Sequence, residues 1–249
     1  MNEVMVIARK DIKETLRNKA FYFSIGLTFF IIVMLTGAIR DNIIALAQQG
    51  LSAAETISSI QPLMGTAVYL LAFMIMMLFS MYMNGYAVVM EKMKRSMESL
   101  LCTPLTMKQV WLGKSLAVFI PSAVLGLAFA FGSVCIIDVL FVVPVVGHWV
   151  MPGPAPLVAT LLAVPSVVLL LSSVATMLQL ITANIRLINL AFMAVIFGVG
   201  FGLSSSLRMA ASSWGVVYVS FGIAAGLVLL VALLSRHVTK ERVVLSSKG

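Results

Sequence analysis

Gly113-Lys114-Ser115 is the tripeptide in this 249-residue chain that most resembles a phosphate cradle. A P-loop holds phosphates on the backbone N–H groups of a glycine-rich turn between a strand and a helix, and it needs a further glycine five positions before its last one. Lys108 stands there instead, so the tripeptide does not read as a nucleotide site. Two histidines, His148 and His237, are too few and too far apart for a metal-ligand motif, and neither HExxH nor GxSxG occurs. Cys102 and Cys135 show no metal-ligand spacing and no placement suited to an extracellular disulfide. Asp138 is the only ionisable side chain between Lys114 and His148. A carboxylate within a membrane marks a functional site by default, which makes Asp138 a candidate for ion or proton coupling. Its nearness to the end of an apolar run, where snorkelling lowers the cost, speaks for a simpler placement. Asn84, Gln179, Asn184 and Asn189 lie near the ends of apolar runs; they suit interhelical hydrogen bonds, with Asn84 and Asn189 the best candidates for a substrate path. Met77 and Met81, in a Met-rich run, could offer a flexible, polarisable lining to the same path, or simply fill packing gaps.

The elements that would position these groups are apolar almost throughout. Hydrophobic residues make up 61% of the chain and charged residues 10%, with mean hydropathy +1.09. A soluble domain carries about 25% charge, so the composition is that of an integral membrane protein. Apolar residues run continuously and not in alternation, so the spans are helices and the fold class is all-α.

Residues 2–19 read as an amphipathic helix on the membrane surface, with Met5, Ala8, Ile12 and Leu16 as its apolar stripe and Arg9, Lys10, Lys13 and Arg17 around it. Six spans follow, at about residues 20–39, 63–90, 115–142, 157–181, 187–203 and 214–235. Arg40-Asp41 closes the first, and residues 40–62 read as an external segment containing a short helix. A proline- and glycine-rich stretch from Pro144 to Pro156 turns the third span into the fourth. Gly198-x-x-x-Gly202 and Gly222-x-x-x-Gly226 read as packing surfaces within the chain.

Charge sets the orientation. Fifteen of the seventeen Lys and Arg residues fall before span one, between spans two and three, at Arg186, or in the tail; only Arg40 and Arg208 lie on the other side. This is a strong positive-inside asymmetry and predicts both termini in the cytosol. It also accounts for the net charge of +8 through topology and anionic lipid, without nucleic acid.

The segment from Glu91 to Lys114 is a charged island between two apolar runs: no Asp, Glu, Lys, Arg or His occurs from Thr56 to Met90. Met93, Met97, Leu100 and Leu101 form a helical ridge, Pro104 stops that helix, and a second helix leads through Lys108, Trp111 and Lys114 into span three. On pattern alone it reads equally as a docking element or as a solvated loop.

Glu91-Lys92-x-x-x-Ser-x-Glu98-Ser-Leu100-Leu101-Cys-Thr103-Pro104-Leu105-Thr106, followed by Gly113-Lys114, resembles the signature of type-2 ATP-binding-cassette (ABC-2) exporter permeases. Thr106 departs from the commoner Ser, Ser96 from a frequent Gly, and the outer segment before span six is short. The resemblance implies an N-terminal elbow helix (2–19), six spans with both ends cytoplasmic, and a coupling helix within 91–114 that docks on a separate ATPase. Glu91, Glu98, Leu101, Thr103 and Pro104 are the coupling contacts it implies. It further implies two ABC ATPase subunits, a second permease chain (identical or homologous), the plasma membrane as location, ATP and Mg bound only by the ATPase, and no catalysis by this chain. The alternatives are an ion-coupled secondary transporter and a non-transporting membrane anchor. The substrate is not legible in these residues.

Overall fold

The computed structural model describes residues 2–47, 53–85, 105–182, 190–191, 194 and 214–236. Among them all regular structure is helical. In chain order the helices are α1 (Asn2–Leu16), α2 (Lys19–Ala47), α3 (Ala53–Asn84), α4 (Met107–Ile137), α5 (Val143–Val146), α6 (Pro154–Val158), α7 (Val164–Ile181) and α8 (Trp214–Ser235). A π-helical turn, Asp138–Val142, joins α4 to α5, and a second, Ala159–Ala163, joins α6 to α7.

Five continuous segments are long and apolar enough to cross a bilayer: Phe21–Ala45, Glu55–Asn84, Met107–Val146, Pro154–Ile181 and Trp214–Ser235. The chain is a multi-pass helical membrane protein. Span six matches its expected limits, and spans two, three and four lie where expected, apart from their ends. The fifth expected span, 187–203, falls outside the described residues except at Leu190, Ala191 and Ala194.

Helix α3 is the hub. Its most apolar window is 72% buried, against 19% for α2 and 22% for α8, so the last two form the perimeter. Helices α2, α4, α6 and α7 all pack on α3. Its buried face carries Val68, Ala72, Ile75, Met76, Phe79 and Met83. Close approach is set at two glycines. A Cβ at Gly126 of α4 would meet the Met76 side chain and come within 3.2 Å of the Met76 backbone. One at Gly65 would meet the Pro156 ring. The buried Tyr69 and Ser220 hydroxyls, 3.1 Å apart, tie α3 to α8.

The hairpin between spans one and two differs from expectation. Helix α2 does not end at Ile39 but runs through Arg40-Asp41 to Ala47, and α3 begins at Ala53. No separate short helix lies between them among the described residues. The reason is that the apolar faces continue past the charges: Ile43 and Ile60 are fully buried in one cluster with Met64, Val134 and Ile137. The Arg40 guanidinium lies over the Phe141 ring, 5.9 Å from its centroid, where a cation–π contact and solvent access are both open to it. At about 1.5 Å per residue α3 is roughly 48 Å long, well beyond a ~30 Å hydrocarbon core.

The turn between spans three and four is shorter than the Pro/Gly composition implies. Only residues 147–153 leave the helical path; Pro154 sits in the first turn of α6, where a missing N–H costs nothing. Gly147 caps α5 at φ +83°, a left-handed conformation that suits glycine. Each π turn ends on the residue before a proline: Val143 N–H bonds to Asp138 C=O ahead of Pro144, and Val164 N–H to Ala159 C=O ahead of Pro165. A widened turn gives the proline ring room that a regular turn would deny it.

Candidate functional site

The site builds outward from Thr106, where the helix after the charged island begins. Its backbone is extended (φ −79°, ψ 151°), and its hydroxyl accepts the Gln109 N–H. In return Gln109 Oε1 accepts the Thr106 N–H at 2.8 Å, completing a capping box. The hydroxyl position in the Thr-Pro-Leu-Thr run is thus the N-cap of span three, which Ser or Thr serves equally. The other end of the same amide reaches a different element: Gln109 Nε2 donates to Glu3 Oε2 of α1.

Two turns further, α1 and α4 come into close contact. A Cβ at Gly113 would stand 2.9 Å from Ile7 Cβ and 3.2 Å from the Val4 carbonyl oxygen, so a larger residue there would push the helices apart. Lys114 follows, with no exposure at all; its Nζ lies 3.3 Å from Asp11 Oδ2, itself only 4% exposed. A lysine near a helix end ordinarily snorkels toward water. This one turns into the α1–α4 contact and meets a carboxylate 103 positions away. Ser115 donates to the Trp111 carbonyl oxygen at 2.8 Å. The three residues with phosphate-loop chemistry are therefore spent on helix contact, an ion pair and a helical back-bond.

Against the rest of the protein α1 buries a face that shares Ala8 with the anticipated stripe. Ile7, Ala8, Asp11 and Thr15 are buried, while Met5 and Leu16 of the anticipated stripe remain exposed and Ile12 is half-buried. The cause is Gly113: close approach rewards a small, tightly packed face over a bulky one. Met5 and Leu16, with Arg9, Lys13 and Arg17, are left on the helix's open surface.

On its opposite side the start of α4 receives the ends of two other helices. Met107 and Trp111 form a cluster with Met177 and Leu180 of α7, and Val231 and Leu234 of α8 pack against it. Trp111 is buried in that cluster and does not stand in an exposed aromatic belt, unlike Trp149 and Trp214, which are exposed at the far end. The residues that enter the membrane directly after the island thus touch α1, α7 and α8.

A polar seam lies between α3 and α7. Thr176 Oγ1 is 2.8 Å from both Asn84 Oδ1 and the Ser172 carbonyl oxygen, so its one proton is shared between them. Ser80, Ser172 and Gln179 are buried along the same contact, and Asn84 Nδ2 and Ser80 Oγ find no hydrogen-bond partner among the described residues. Met77 is fully buried in the core, and Met81 packs against it. Asn84 and Met77 are therefore enclosed between packed helices. Asn189 and Asn184 lie outside the described residues, as do Glu91, Glu98, Leu101, Thr103 and Pro104. Gly198 and Gly202 do as well. Gly222 and Gly226 of α8 are exposed, and among the described residues nothing lies within 4 Å of a Cβ at either.

At the far end Asp138 is buried and accepts the Val150 N–H at 3.3 Å, closing the spans three–four turn. Gln61 Nε2 bonds the Met151 carbonyl oxygen at 3.4 Å beside it. Asn at position 138 keeps an oxygen for Val150 and is expected to change stability little, whereas Asp138→Leu removes the acceptor and should cost about 1–3 kcal/mol. Thermal unfolding of both variants in one detergent checks this; equal losses would deny the carboxylate oxygen its role as acceptor.

Comparison with protein-family models, with curated proteins and with solved structures finds no match to this chain.

Proposed function

We propose that the chain is the membrane subunit of an ATP-driven exporter of the type-2 ABC kind, driven through the 91–114 segment by a separate ATPase. One observation carries the mechanical side of this reading: the first turns of α4, directly beyond the segment, pack against α1 and against the ends of α7 and α8. A push on the segment would enter the bundle where α1, α4, α7 and α8 meet. The recognition side rests on the Glu98-to-Pro104 motif and Gly113-Lys114. With Lys108 in place of the required glycine, this segment is no nucleotide site, so hydrolysis is assigned to the partner.

In this reading α1 is the elbow helix, both termini are cytoplasmic, and the charge asymmetry orients the chain in the plasma membrane. Two ATPases and two permease chains, identical or homologous, make the working complex, and 187–203 supplies the fifth of six spans. Glu91, Glu98, Leu101, Thr103 and Pro104 are the docking contacts. Asn84, Asn189, Met77 and Met81 would line the path only once α3 and α7 separate. Asp138, engaged with Val150, gains no support as an ion-coupling group.

The test is recovery of the partner. Tagged chain extracted from its native membrane is expected to bring down a P-loop ATPase. Replacing Leu101 and Pro104 together by Asp should lower that recovery at least ~10-fold, because two charges would then be buried in an apolar contact. Undiminished recovery with the double variant would sink the docking assignment.

A further inference from the structure

The contact between α1 and α4 is built like a fastening. Three features lie along one line: the Gln109–Glu3 hydrogen bond, the Gly113–Ile7 close approach, and the Lys114–Asp11 ion pair at the innermost position. The first is exposed and the last is fully enclosed. Glycine brings the backbones near enough for the ion pair to close, and the enclosed pair then makes partial separation costly, since both charges lie out of water and lose this contact together. Only Arg17 and Asn18 separate α1 from α2, and the Asn18 and Phe21 N–H groups bond back across that corner at 3.1 and 3.0 Å. A movement of α1 therefore reaches span one directly.

We propose that Asp11 and Lys114 are positioning residues: a buried latch that makes α1 and the first turns of α4 one rigid body, so that a displacement of the segment before Thr106 moves spans one and three together. The docking stands on the geometry alone. Its use in transport rests on the exporter reading above.

Thr15 reports on the latch. It is buried on the same face of α1, and cysteine is close to it in size. In a chain with Cys102 and Cys135 changed to Ser, Thr15→Cys in open membrane fragments should react slowly with a membrane-impermeant maleimide. Asp11→Asn or Lys114→Met should raise the labelling rate at least ~10-fold, and the exchanged pair Asp11→Lys with Lys114→Asp should restore protection. If the single variants do not fold, Asp11→Glu, which keeps the charge but lengthens the side chain, should show a rise of a few-fold. Protection unchanged in every folded variant overturns the latch, and so does an exchanged pair that folds but stays reactive. Hydrolysis gives the second readout: Asp11→Asn should retain a copurified ATPase yet lose several-fold of its chain-dependent activity. Labelling that rises while the unaltered chain recovers no ATPase keeps the latch and overturns the exporter reading.

Discussion

Lys114→Met, with Asp11 left in place, is expected to be the most damaging single substitution at the α1–α4 contact. Methionine fills most of the lysine's volume and makes no charge, so the loss isolates electrostatics from packing. What remains is a carboxylate enclosed by α1 and α4. Breaking a buried pair on one side costs about 3–5 kcal/mol, most of it the penalty of keeping a charge buried after its counter-charge is gone. By the scaling known for soluble domains of this size, that is a fall in thermal midpoint on the order of 10 °C. Removing both charges, as Asp11→Leu with Lys114→Met, should recover most of the loss, because an apolar pair pays no desolvation. Trp111, buried one turn before Lys114 on the side of α4 that meets α7 and α8, supplies an intrinsic fluorescence signal from the same stretch of helix. A double variant no more stable than Lys114→Met would show that the pair's charge is not what matters there.

Gly126→Val should rival it from the middle of the bundle. Its Cβ would run into Met76, and the Met76 Cα and N, 3.2 Å from it, belong to the hub helix and cannot swing aside as a side chain can. Overpacking of this kind costs about 1–3 kcal/mol and sometimes more. Because α3 packs on four other helices, a shift there propagates and does not stay local. Gly132→Ala is the matched comparison on the same helix: nothing stands within 4 Å of its Cβ. It should be neutral, or up to about 1 kcal/mol more stable through helix propensity. Equal melting curves for Gly126→Val and Gly132→Ala would mean that α3 and α4 are not in the close contact described.

The contrast between these two glycines shows what the sequence could reveal and what it could not. Apolar runs and charge positions placed α8 to the residue, because Trp214 and Arg236 bracket it, and found the helix entering span three from the spacing of Lys108, Trp111 and Lys114. Arg40-Asp41 misled for the same reason: charges mark the edge of an apolar run, but Ile43 and Ile60 keep the helices going through contacts between segments. The glycines chosen by GxxxG spacing, Gly222 and Gly226, are open among the described residues, while Gly65, Gly113 and Gly126 make close contacts that no GxxxG spacing marks. The latch was hidden more thoroughly. Asp11 and Lys114 each looked like one charge in a hydrophilic stretch, and a pair 103 positions apart has no local signal. A clue was available in α1, where Ile7, Ala8, Asp11 and Thr15 recur at helical spacing as a second stripe with an acid in it.

The two π turns give the hairpin of spans three and four an unusual tolerance. Taking one residue out of a transmembrane helix normally rotates everything beyond it by about 100°, turning lipid-facing side chains into the bundle. A π turn already holds one residue more than the regular helix needs. Shortening Asp138–Val142 or Ala159–Ala163 by one position would restore an ordinary helical turn and leave the facing of the flanking segments unchanged. The chain carries a spare residue on each side of its proline-bounded turn, and each acts as a phase adjuster between a long helix and the short one, α5 or α6, at the turn.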